Sequence, residues 1–274
     1  MKAGVSTASL FPLETEFTLD ELHKMGVKDI EVFLEAESET TPDFCKLLKD
    51  KIKAYGMNVV SVHAFCAAFE PFLFSEYKRR SGDALNTFIK YCKAMEYLDA
   101  EYYTFHGTRN DPLKAGFSYR EYCMVFSSLA SIARECGGLL SWENVSWCHS
   151  GNPEFLKNCM QYLDKKAFGF TFDFKQALRA GNLTEIYLDI MKDNLVNVHI
   201  SDYDDFSPCT LPGTGKRDFF QVISMLDGYK YDGVLLIEVY NDCYRNYGQI
   251  GKSYEFIKGL ITDYEGQNTK NTRI

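Results

Sequence analysis

Three of the five histidines in this chain stand where a short β-rich run gives out. They are His63 in NVVSVHAF (58–65), His106 in EYYTFHGT (101–108) and His199 in LVNVHIS (195–201). Acids fill the same place in three other runs: Glu143 in LLSWENV (139–145), Asp173 in FGFTFDF (168–174) and Glu238 in GVLLIEVY (233–240). Three carboxylates gathered without a cation repel one another and drive their pKa values up. A divalent metal relieves that strain, and an oxygen-rich set with one nitrogen suits Mn²⁺, Mg²⁺ or Co²⁺, with Zn²⁺ also compatible. The alternative reading is a ring of salt bridges around the mouth of a fold.

The gathering requires a fold that brings strand ends together. Two further β-rich runs, KAGVST (2–7) and DIEVFL (29–34), bring the total to eight, each followed by a helical pattern. TLDEL (18–22) reads as a capping box with Thr18 as N-cap and Glu21 reaching back. TPDF (41–44) places Pro42 at the first helical position behind Thr41. Gly26, Gly56 and Gly181 fall where helices should end. YREYCMVFSSLASIARE and SYEFIKGLITDY carry apolar residues at three-to-four spacing. Eight β-then-α units over about 260 residues match a (β/α)₈ TIM barrel, whose active site lies at the C-terminal ends of its strands. A doubly wound open sheet is the runner-up, but GVSTAS lacks the Gly-rich phosphate turn such a sheet normally shows early. The expected architecture is thus an α/β single domain over 1–265, with a polar tail, GQNTKNTRI, over 266–274.

The chain has 274 residues and a formal net charge of −8, which argues against routine nucleic-acid binding. Nine scattered cysteines without a CxxC pair favour reduced thiols over a disulfide framework or a structural zinc site. The N-terminal stretch MKAGVSTASL has no apolar run long enough for a signal peptide, and no transmembrane segment is expected. A cytoplasmic location and no membrane partner follow as expectations.

The order of these strand-end residues resembles the xylose isomerase-like TIM barrels, which include sugar phosphate isomerases/epimerases, ketose 3-epimerases and the endonuclease IV group. WEN (142–144), FTFDF (170–174), VHISD (198–202), LPGTGKRDF (211–219) and IEV (237–239) carry the resemblance. It implies a metal tetrad of Glu143, Asp173, His199 and Glu238 around one divalent ion. It also implies that Glu143 and Glu238 move a proton on a carbon next to a carbonyl, through an enediolate. The expected activity is isomerisation or epimerisation of a sugar, sugar phosphate or polyol, and assembly into a homo-oligomer is compatible with it. A metal-dependent dehydratase or lyase of an inosose-like substrate, or an abasic-site endonuclease, is the alternative. Two departures bear on the substrate. Gln176 stands where many members place a histidine, and no arginine follows His199 closely.

Around this core, His63, His106, Lys175, Gln176, Asp202 and Arg217 are the candidate substrate-binding residues. Lys175 can reach inward for an anionic group or pair outward with a helix. Asp202 can orient His199 or meet the substrate. Arg217 and Lys216 follow PGTG, whose glycines let backbone approach a ligand, and Lys216 is read as solvated. Trp142, Trp147 and Phe65 are weighed as an apolar wall against plain core. Glu31 is weighed as pocket lining against a polar bridge inside the barrel. His149 is a marginal loop candidate, and His23 is placed on the surface.

Overall fold

In the computed structural model, which describes residues 1–271, the eight runs form eight parallel strands closed into a barrel. They are β1 (Lys2–Ser6), β2 (Asp29–Leu34), β3 (Asn58–Ala64) and β4 (Tyr102–Phe105). The second half contains β5 (Leu139–Glu143), β6 (Gly169–Asp173), β7 (Leu195–Ile200) and β8 (Val234–Ile237). Each strand pairs with the next, and β8 closes on β1 through Lys2↔Val234 to Val5↔Ile237. The observed architecture is the (β/α)₈ barrel that the alternation of runs and helical patterns predicts, and the open sheet is excluded.

Two of the helix signals hold as expected. The helix Pro42–Tyr55 opens on proline behind Thr41 and closes on Gly56 in the left-handed conformation. The helix Tyr119–Glu135 coincides with its amphipathic stretch, and Ser118 caps it by accepting from the Glu121 amide. One signal is corrected. The first long helix begins at Thr15, three residues before the expected capping box. Thr18 therefore lies inside its first turn and donates to the Leu13 carbonyl at 3.2 Å instead of capping. The last helix runs Gly248–Asn271, so helix continues into the first residues of the polar tail. The remaining tail residues lie outside the described residues. No helix of the described residues is long and apolar enough to cross a membrane. The eight cysteines described are free thiols.

Alternation along the strands fills the barrel in three layers. At the N-terminal end, Val60, Tyr102, Val234 and Leu236 form a small apolar plug. Above it lies a polar layer in which Ser61, Thr104, Ser141, Thr171 and Asn197 are all inaccessible to solvent. Two residues further along their strands, in the third layer, come His63, His106, Glu143, Asp173 and His199, and Glu238 joins them from just past the end of β8. The larger hydrophobic core lies between barrel and helices and contains Trp142, Phe126 and Phe172. Trp142 is fully buried there, its indole N–H donating to the His106 carbonyl at 3.2 Å, so it belongs to the core and not to a pocket wall.

Gly4 is fitted to the apolar plug. A methyl group on it would lie 2.5 Å from the Asp29 carbonyl oxygen and 2.8 Å from Leu236 and Val234 side-chain carbons. Two of these neighbours are packed side chains and one is backbone, so none can retreat cheaply. Gly4→Ala is expected to lower the urea-unfolding free energy by about 1–3 kcal/mol, with the far-UV spectrum unchanged.

Candidate metal centre

The third layer is a continuous cluster of ionisable groups. Ligand atoms of Glu143, Asp173, His199 and Glu238 all lie within 4.8 Å of one another, and all four residues are buried. Strand register accounts for this: Asp173 on β6 sits level with His199 on β7, while Glu143 and Glu238 lie at the ends of β5 and β8. His199 Nδ1 faces the acids, 3.2 Å from Glu143 Oε1, 3.5 Å from Glu238 Oε2 and 4.0 Å from Asp173 Oδ2.

The other side of the His199 ring meets Glu31. His199 Nε2 lies 3.1 Å from Glu31 Oε2, inside the polar layer. Glu31 also accepts from the hydroxyls of Ser6 (2.9 Å), Ser61 (2.7 Å) and Thr104 (3.0 Å). This is the polar bridge weighed for Glu31, and it holds His199 from below. With Nε2 held in this way, Nδ1 is the nitrogen left for the mouth.

The electrostatics follow from burial opposed by neighbours. Burial raises the Asp173 carboxyl to about 6, with Lys175 pulling the other way. Burial alone would raise Glu143, but His106 and His199 hold it below its ordinary value. Glu238 is likewise held low by Lys175 and His199 against burial. Burial disfavours a charged His199, yet Glu31 and Glu238 raise it well above an ordinary imidazole.

The donor set fits a divalent cation. Glu143 Oε2 has His106 Nε2 at 2.7 Å, and Asp173 Oδ2 has Lys175 Nζ at 3.3 Å. Among the described residues neither oxygen receives a well-directed hydrogen bond, although both are buried. Such oxygens in a crowd of like charge call for a positive ion between them. Asp173 is oriented for this role: Oδ1 accepts from the Gln176 amide at 2.8 Å and caps the next helix, leaving Oδ2 to the cluster.

The candidate substrate-binding residues divide. His63 and His106 join the cluster, their Nε2 atoms 2.9 Å apart. Lys175 points inward and is 2% exposed, with Nζ 2.7 Å from Glu238 Oε2 and 4.9 Å from the centre of the Tyr240 ring. Gln176 lies beside the cluster, but its carbonyl oxygen accepts from the Ser146 amide (3.1 Å) and hydroxyl (2.7 Å), fixing the loop after β5. Asp202 and Arg217 are not brought to the cluster. Asp202 is buried and accepts from the amides of Tyr203, Gly213, Gly215 and Arg217 at 2.8–3.1 Å, so it organises its own loop. Arg217 donates to the Ser201 carbonyl at 2.9 Å, with its guanidinium over Phe174 and Tyr203. Lys216 pairs with Asp205 in solvent. Trp147 is 38% exposed, with its ring 5.5 Å from that of His106, while Phe65 is exposed. His149 lies in the loop after β5, its Nδ1 3.2 Å from the Thr108 hydroxyl, and His23 stacks on Tyr55.

One residue has no signal in the strand-end pattern. Glu70 opens the short helix Glu70–Leu73 in the β3–β4 connection and is fully buried. Its carboxylate accepts from the amides of His106 (2.8 Å) and Gly107 (3.0 Å) and from the Tyr103 hydroxyl (3.0 Å), fixing the end of β4. Only the polarity of Glu70 beside Pro71 in an otherwise apolar FEPF stretch hints at it.

The family model described as xylose isomerase-like TIM barrel matches residues 19–260. An uncharacterized protein of Methanocaldococcus jannaschii, MJ1311, is 26% identical over 271 residues, 95% of this chain and 89% of its own. A D-tagatose 3-epimerase-like protein superposes with a TM-score of 0.79 at 22% identity, covering 97% of this chain and 99% of its own. The 3-keto-D-glucoside 4-epimerase YcjR of E. coli superposes with a TM-score of 0.75 at 16% identity, covering 94% and 99%.

Burial raises the Glu70 carboxyl above the ordinary glutamate value of 4.5, against its hydrogen bonds. A group raised on folding favours the folded state at low pH, and that advantage is lost as pH climbs through its folded value. Wild-type stability measured against Glu70→Gln should therefore fall as pH rises above 4.5. Glu70→Ala should lose about 1–3 kcal/mol for each buried amide left unanswered, read by urea unfolding.

Proposed function

Because the chain belongs to the xylose isomerase-like TIM barrel family, we propose that it is a divalent-metal-dependent isomerase or epimerase of a small sugar or sugar derivative. The observation that carries this reading is the pair of glutamates, Glu143 and Glu238, whose carboxylate atoms share one 4.8 Å cluster with Asp173 and His199. A reaction at a carbon beside a carbonyl needs one group to take a proton and one to return it. The two glutamates come from different strands, at the ends of β5 and β8, and each has its own proton-bearing neighbour. Lys175 beside Glu238 favours the carboxylate form and suits it to receive a proton. Glu143 touches His106, which touches His63, and this pair can deliver or accept a proton at Glu143 Oε2.

Glu143, Asp173, His199 and Glu238 are the residues that would hold Mn²⁺, Mg²⁺, Co²⁺ or Zn²⁺. Such an ion supplies positive charge where negative charge develops on the carbonyl oxygen. His63, His106 and Lys175 line the same mouth and are proposed to meet substrate hydroxyl or carbonyl oxygens. Gln176, Asp202 and Arg217 act behind them, by shaping loops.

A second reading rests on a specific observation: His63, His106 and Glu143 form another group of potential ligands. A second ion there would favour phosphodiester hydrolysis, the abasic-site endonuclease alternative. The number of metal ions per chain, with cleavage of an abasic duplex, separates the two.

Solvent deuterium should enter the carbon beside the carbonyl of a suitable ketose, as read by NMR. Glu143→Gln and Glu238→Gln should each lower that rate by about 10²–10⁴-fold while the thermal midpoint holds. Full exchange in both variants excludes the mechanism. Chelation should stop the exchange, and one of the four metals should restore it. Glu31→Gln should weaken metal binding by about 10–100-fold in titration calorimetry, without changing the ligand set itself.

A further inference from the structure

Beside the candidate metal centre lies a cavity of about 670 Å³ that none of the proposed chemistry uses. This volume falls in the range of small-molecule sites. Its walls come from the connections after β3 and β4 and from His149 after β5. It adjoins the centre through the chain itself. Thr108 in its wall is two residues past His106, and Trp147 neighbours both His106 of the centre and Arg109 of the cavity wall. The Trp147 ring lies 5.5 Å from the His106 ring on one side and 5.9 Å from the Arg109 guanidinium on the other.

The lining has a recognisable chemistry. Three basic and three acidic side chains face it, Arg80, Arg109 and Asp111 among them, so it carries no net charge to select an anion. Phe72 and Phe117 add aromatic surface, with the Arg80 guanidinium 4.9 Å from the Phe72 ring centre. His149 is buried in the wall, and its Nε2 has no hydrogen-bond partner among the described residues. Planar charged groups that both donate and accept, set among aromatic faces, match a ligand with many hydroxyls and an apolar ring face. That is a sugar ring.

We propose that this cavity is a second sugar subsite, so that the substrate is a ketose carrying a glycosyl substituent. The ketose lies at the metal centre, and the attached ring passes Trp147 into the cavity. This rests on the isomerase or epimerase reading for the ketose end, whereas occupancy of the cavity can be tested alone.

Lactulose and palatinose are ketoses glycosylated at O4 and O6, and both leave the carbon beside the carbonyl open to exchange. Deuterium incorporation by the metal-loaded protein is compared for these two sugars and D-fructose. The wild type should show kcat/KM about tenfold higher on at least one disaccharide, equivalent to about 1.4 kcal/mol. The double variant Phe72→Ala/Arg109→Ala should lose that advantage and leave the D-fructose rate unchanged. Equal or better use of D-fructose by the wild type overturns the proposal, as does an equal loss on both sugar types in the double variant. If no sugar is exchanged, the catalytic reading fails, and saturation-transfer NMR with the same disaccharides decides the subsite by itself. Signals from the non-reducing ring that vanish in the double variant support it. Their absence in the wild type, or persistence in the variant, overturns it.

Discussion

The arrangement of the barrel mouth depends on one buried carboxylate below it. Glu31 is inaccessible to solvent, and its two oxygens meet partners from β1, β3, β4 and β7. An isolated charge at that depth would be unfavourable by many kcal/mol. Ser6, Ser61, Thr104, His63 and His199 make it tolerable, and in doing so they tie together strands far apart in sequence. The imidazole of His199 is thereby held on two sides, by Glu31 beneath and by the acids above. Its orientation is set before any ligand arrives.

The same principle repeats at the rim. Glu70 fixes the end of β4, Asp173 caps the helix that follows it, and Gln176 pins the loop after β5. Each uses side-chain acceptors on backbone amides, so the strand ends keep their places although they lead into loops. Lys175 differs. It is a cation enclosed almost completely, with Asp173, Glu238 and the Tyr240 ring around it. It offsets part of the negative charge that crowds the centre.

Much of this is legible in the sequence, because a period of two along a strand and convergence of strands on one axis need no distant information. The eight runs and the acids at the ends of β5, β6 and β8 follow from that, and the number of units together with the chain length favours a closed barrel over an open sheet. What escapes is whatever depends on which partner a polar group finds. Thr18 resembles an N-cap, yet the helix starts at Thr15, and the Thr18 hydroxyl bonds back to the Leu13 carbonyl instead of to a helix amide. Asp202 sits three residues after a strand-end histidine, like a site residue, and turns instead to amides eleven to fifteen positions away. Glu70 lies on a connection rather than at a strand end, so no periodicity marks it. Glu31 admits two readings in the sequence because one residue between hydroxyl-bearing strands can line a pocket or bridge a barrel.

The loop around Asp202 has a consequence for what its backbone amides can hold. In many barrels of this class the turns after the last strands gather backbone amides into a nest that grips a phosphate. Here Gly213 and Gly215 do bring backbone amides inward, and a methyl on Gly215 would lie 2.2 Å from the Tyr203 carbonyl oxygen. The anion at the focus is the protein's own: Asp202 receives four of those amides. A nest filled from within spends these amides on the protein's own carboxylate, so what they hold is the shape of the loop itself.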